Sequence, residues 1–150
     1  MTDSATPYDA QFIDGMIVHH QGAITMANQA LKESERAEIK TLAQAVITAQ
    51  EAEITQLQQW RKDWYPNVPS TDVTGMAMGT MELSSDTSIP FDQRFIDAMI
   101  DHHQGALEMA REALEMAERE EIKTLARAII TAQEAEIAQM RQWRFEWFGA

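Results

Sequence analysis

The sequence predicts an all-α fold, a four-helix bundle made of two duplicated helical hairpins joined by a long loop that contains methionines. Three observations carry this. Two long stretches are built almost entirely from helix formers with apolar residues at the 3.6-residue period. The second stretch repeats the first: Phe12 to Tyr65 aligns without a gap onto Phe95 to Phe148, with roughly two-thirds of positions identical. Between them lies a segment bounded by proline and rich in Ser, Thr and Gly, which reads as a connection. The 150 residues are expected to form a single domain, with repeats over 8–65 and 91–148 and a linker over 66–90.

The first helix begins near Tyr8, and its inner stripe is Ile13, Met16, Ile17, His20, Ile24, Ala27 and Leu31. A second stripe follows, Ile39, Leu42, Val46, Gln50, Glu53, Leu57, Trp60 and Trp64. No proline interrupts 8–65, yet one helix of that length would reach roughly 80 Å, so a compact domain requires a turn. The apolar pattern lapses at Glu33 to Ala37, and the duplicate lapses at Met116 to Glu121. The third and fourth helices follow by repetition. The linker, Pro66 to Pro90, is longer than most structureless connections, which marks a functional or mobile segment. Its reach permits either orientation of one hairpin on the other.

A content of 45% hydrophobic residues excludes a disordered chain. The formal net charge of −12 is spread through the helices, which argues against nucleic acid or an anionic membrane surface as partner and favours cations. There is no cysteine, so any soft-metal chemistry falls to Met and His. The first eight residues lack the basic and apolar regions of a signal peptide, and no apolar run approaches a membrane span. The chain as given therefore reads as soluble, without membrane insertion.

All four histidines fall in two matched segments, Met16-Ile-Val-His-His-Gln-Gly-Ala-Ile-Thr-Met26 and Met99-Ile-Asp-His-His-Gln-Gly-Ala-Leu-Glu-Met109. On a helix, Met16 stands three residues before His19 and four before His20, and Met26 lies two turns beyond His19. Met99, His102, His103 and Met109 repeat the arrangement. Imidazole nitrogen and thioether sulfur together prefer copper to hard cations, Met favouring Cu(I), and silver is expected to compete. Two other readings stand beside this one. Met at helical spacing also fills cores, so the bundle could be a metal-free interaction module with its histidines buried for packing. A di-iron redox protein is the third, but that chemistry wants Glu three residues before His, where positions 16 and 99 are both Met.

Gln50, Glu53, Gln133 and Glu136 are polar residues on otherwise apolar stripes and need partners. They are expected either to orient a metal-bound imidazole through its other N–H or to bond within the bundle to Asp14, Asp97, Gln21 or Gln104. Trp60 and Trp64, like Trp143 and Trp147, are spaced to stack and to plug a bundle end. The linker adds Met76, Met78 and Met81, which could pass Cu(I) to a site, cap one, or simply dock the loop. No nucleophile with a general base, phosphate loop or cofactor motif appears, so the sequence reads as a binding protein and not an enzyme.

The pattern Phe-Ile-Asp-x-Met-Ile-x-His-His-Gln-Gly-Ala-x-x-Met-Ala, followed by Gln-x-x-Glu-Ile and a terminal Trp, resembles the DUF305 family over Phe12–Trp64 and again over Phe95–Trp147. The resemblance implies a ferritin-like bundle and, for the CopM-like members, exported bacterial proteins that bind copper and contribute to copper resistance. It implies a periplasmic or secreted location, a protein partner for copper transfer, and Met16, His19, His20, Met26, Met99, His102, His103 and Met109 as metal residues. The family often has Met after Gln-x-x-Glu-Ile; Met140 keeps it and Leu57 does not, so the halves are expected to be chemically unequal.

Overall fold

A computed structural model describes residues 6–76 and 78–149. It contains four helices, α1 (Tyr8–Glu33), α2 (Ala37–Trp64), α3 (Phe91–Met116) and α4 (Glu120–Phe148). Pro7 and Pro90 precede α1 and α3, where a missing N–H and a fixed φ suit a helix start. α1 packs on α2, α3 on α4, and the two hairpins meet through α1 and α3.

The orientation that linker length leaves open is antiparallel. The second half of α1 shares one core cluster with the first half of α3, through Met26, Ala27, Phe95 and Met99. The first half of α1 shares another with the second half of α3, through Phe12, Met16, Met109 and Ala113. A pseudo-two-fold axis therefore crosses the middle of the α1–α3 contact, where the histidines lie. Small residues such as Gly22, Ala23, Gly105 and Ala106 are buried here and allow the backbones to come close.

The turns fall at 34–36 and 117–119, within the segments where the apolar pattern lapses. Ser34 and Ala117 stop their helices in ordinary extended conformations, with ψ of 142° and 144°. The start of α4 is held from outside: the buried carboxylate of Asp9 on α1 accepts the N–H groups of Glu118 and Arg119 at 3.1 and 3.0 Å. Each hairpin also carries an Asp–Arg bridge between its helices, Asp14 to Arg61 at 2.7 Å and Asp97 to Arg144 at 2.6 Å.

The tryptophans stack as their spacing requires, with centroids 5.1 Å apart for Trp60–Trp64 and 5.3 Å for Trp143–Trp147. Each pair also receives a guanidinium from the other hairpin's turn. Arg119 lies 4.0 Å above Trp64 and Arg36 lies 4.0 Å above Trp147. Among the described residues no helix is long and apolar enough to cross a membrane.

Candidate metal centre

His19 and His102 point from α1 and α3 into the contact between the hairpins. Both rings are fully buried and stacked, 3.6 Å between centroids and 17° from parallel. His19 Nε2 lies 2.8 Å from the His102 carbonyl oxygen, and His102 Nε2 lies 2.7 Å from that of His19. A carbonyl only accepts, so His19 Nε2 carries a proton and donates across the axis, whereas His102 faces a second carbonyl, that of Thr80, through Nδ1. Burial first, and then the neighbouring His102, hold His19 down to about 2. Burial likewise lowers His102 to about 4, although its two backbone carbonyl partners pull the other way. Both imidazoles are neutral at physiological pH.

His20 and His103 turn instead toward the second helix of their own hairpin. His20 Nε2 meets Glu53 Oε1 at 2.6 Å, and His103 Nε2 meets Glu136 Oε1 at 2.6 Å. The rings are wholly buried while the carboxylates reach the surface at 24% and 23% exposure. Glu53 and Glu136 thus meet an imidazole and not Asp14, Asp97, Gln21 or Gln104. Two of the alternative partners are engaged elsewhere, Asp14 with Arg61 and Asp97 with Arg144. Gln50 and Gln133 are buried beside them on the same stripes, each with a side-chain oxygen that has no hydrogen-bond partner.

With Nε2 of His19, His20 and His103 facing an oxygen acceptor, Nδ1 is the ring nitrogen left over in each. That atom is buried and unpartnered in His19, His20 and His103. An unsatisfied buried acceptor costs about 1–3 kcal/mol, so each of the three is a place for a donor or a Lewis acid to bind. His102 differs, because its Nδ1 faces the Thr80 carbonyl oxygen at 2.7 Å.

The thioethers do not group by repeat. Met26 of the first copy shares a cluster with Met99 and Met140 of the second, while Met16 shares one with Met109. Each core cluster therefore holds methionines from both copies. Met140 lies in the first of these clusters and its counterpart Leu57 in the other, where the linker's Met76 packs instead as the third thioether. Linker methionines reach the helices where glycine leaves room. Met76 lies against Gly15 beside Met109, and Met81 lies against Gly22 beside the edge of the His102 ring. Met78 is half-buried in the same strand of linker.

Nitrogen and thioether donors without thiolate form a soft to borderline set that fits Cu(I), Cu(II) and Ag(I). Among the described residues no three His, Cys, Asp or Glu side chains group as a metal site, and the carboxylates beside the histidines are Glu53 and Glu136, one to each of His20 and His103. The chain matches the domain of unknown function DUF305 over residues 9–144.

It belongs to the DUF305 family.

Among solved structures, CopM in the Cu(I)-bound form is 38% identical, with a TM-score of 0.80 over 95% of this chain and 99% of that one. CopM in an Ag-bound form is also 38% identical, with a TM-score of 0.79 over the same shares. A DUF305 fragment from Deinococcus radiodurans is 28% identical, with a TM-score of 0.74 over 93% of this chain and 97% of that one. No protein of curated function matches the chain.

Sequence reasoning missed Thr80 and Asp101. Asp101 Oδ2 accepts the backbone N–H of Thr80 at 2.8 Å and also its hydroxyl. One signal was available, since Asp101 stands where the first copy has Val18, an acid replacing an apolar residue inside the most faithful part of the repeat. A contact made by the Thr80 backbone leaves no such trace.

Proposed function

We propose that this DUF305 protein binds copper ions, with silver as a competitor, and acts in metal storage, buffering or resistance. The observation that carries the reading is the set of buried Nδ1 atoms on His19, His20 and His103 that have no protein partner while their Nε2 protons are fixed by carboxylates or a carbonyl. This is the form in which imidazole ligates a metal, with its other nitrogen held by an outer partner. His102 joins the set with its Nδ1 shielded by Thr80. Met16, Met26, Met99 and Met109 supply thioethers to either side, with Met140 as an extra one on the second half.

Glu53 and Glu136 orient His20 and His103 and accept the N–H that becomes more acidic when the ring binds a cation. Gln50 and Gln133 lie on the same stripes and adjust that layer. The metal ion is cargo, so the protein acts as a carrier and not a catalyst. The solved CopM structures with Cu(I) and Ag support the metal class. A cysteine-free set of soft ligands suits a periplasmic or extracellular setting, where thiols are oxidised, and handover to a second protein is the natural exit.

The test is anaerobic competition for Cu(I) against a chromophoric chelator, comparing the wild type with a variant in which His19, His20, His102 and His103 are all alanine. The wild type should strip copper from the chelator. The variant should lose at least about tenfold in affinity, the scale on which even outer-layer changes at metal sites act. Equal, weak binding by both would sink the copper reading.

A further inference from the structure

The two central imidazoles are dressed differently. His19 Nδ1 is bare, whereas His102 Nδ1 meets the Thr80 carbonyl oxygen at 2.7 Å. Residues 78–81, which bring that carbonyl, belong to the linker and have no duplicate. They lie directly on α3: Gly79 has φ of +65°, and a Cβ there would come within 2.6 Å of the Asp101 carbonyl and 3.0 Å of His102 Cα. Only glycine combines this conformation with such an approach. The next anchor is the Asp101 carboxylate, which holds both the N–H and the hydroxyl of Thr80. Val18, at the matching place on α1, has no acceptor to offer a second strap.

His102 faces two carbonyl oxygens, that of His19 through Nε2 and that of Thr80 through Nδ1, so the strap covers the ring nitrogen that the contact between the hairpins leaves over. The Asp101–Thr80 bonds that hold the strap down are solvent-exposed. Beyond them, Met81 lies in the groove at Gly22, where a single added carbon would touch its Sδ at 2.9 Å and His102 Cε1 at 3.2 Å. A thioether and an imidazole edge thus converge at the place the strap closes.

We propose that residues 78–81 form a releasable strap that sets the order in which the two halves of the centre take up a soft metal ion. Docked, the strap occupies His102 Nδ1 through Thr80. Freed from Asp101, it uncovers that nitrogen and presents the Met81 thioether beside it, so the ion passes from sulfur to nitrogen. The half around His19 loads without any such movement. This inference rests on the copper reading above.

Stopped-flow transfer of Ag(I) or Cu(I) from a chromophoric chelator to the full chain, with amide exchange followed at residues 78–82, separates the possibilities. The wild type should load in a fast and a slow phase, and exchange at the strap should rise as the slow phase completes. Asp101→Val, which installs the first copy's residue, should speed the slow phase by about thirtyfold, the worth of the two hydrogen bonds that Asp101 accepts from Thr80, and raise strap exchange in the metal-free protein. A single loading phase, or identical phases in the variant, overturns the strap while leaving the copper reading intact. If neither protein takes metal, both fall together. Thr80→Ser keeps the carbonyl and the hydroxyl and should behave as the wild type. Loading by Thr80→Ser as fast as by Asp101→Val would overturn the assignment to Asp101.

Discussion

A histidine that stays neutral when buried ties stability to pH in a known direction. The unfolded chain takes up a proton near the ordinary value of 6.5, while folded His102 does so only near 4 and His19 near 2. Between 6.5 and 4 the unfolded state therefore binds more protons than the folded one, and stability falls as pH drops. Each group contributes a slope of up to about 1.4 kcal/mol per pH unit. Urea unfolding of the metal-free protein should show a steady loss from pH 7 to 4.5, flattened when His19 and His102 are both replaced by asparagine. A wild-type curve that is level over that range would refute a buried neutral pair. At this scale much of the site was legible. The His pairs stood out by recurrence, and Glu53 and Glu136 stood out as charges on an apolar stripe. What stayed hidden was carried by main chain: the carbonyls of His19, His102 and Thr80, which every residue possesses.

For the helices, the 3.6 period fixed the elements while the stops were faint. Neither turn has a glycine or proline, because Ser34 and Ala117 adopt extended conformations open to any residue. The signal for the start of α4 sits on another helix, in Asp9, so no local reading could find it. A carboxylate at that point satisfies two N–H groups and faces the positive end of the α4 dipole. Replacing Asp9 by alanine should therefore cost about 1–2 kcal/mol of unfolding free energy, measurable by denaturant titration. Asparagine should recover part of it. A change too small to resolve would mean that water caps α4 equally well.

Across the whole molecule, the hairpins are tied at both ends as well as in the middle. Arg36 of one covers Trp147 of the other, and Arg119 returns the contact on Trp64. Sequence spacing foretold stacked tryptophans but not which cation would cover them, since that depends on the antiparallel docking that the long linker leaves undetermined. Arg36→Met and Arg119→Met keep much of the aliphatic bulk and remove the charge. Each should lower stability by about 0.5–2 kcal/mol, with a shift in tryptophan emission. Additive losses would fit two independent braces at opposite ends. Unchanged emission in both variants would show that the guanidiniums do not rest on the indoles in solution.

The reciprocal bonds between His19 and His102 have an ancestral consequence. Each ring is satisfied by the opposite hairpin's backbone, so one hairpin alone leaves its central donor unanswered and its α1 face bare. A shorter ancestor with one hairpin would find both in its own twin, as a two-fold homodimer. Joining the twins on one chain replaces encounter in solution with an effective concentration in the millimolar range. It also frees each half to diverge, and Asp101 against Val18 and Met140 against Leu57 are the marks of a symmetric pair that no longer has to remain so.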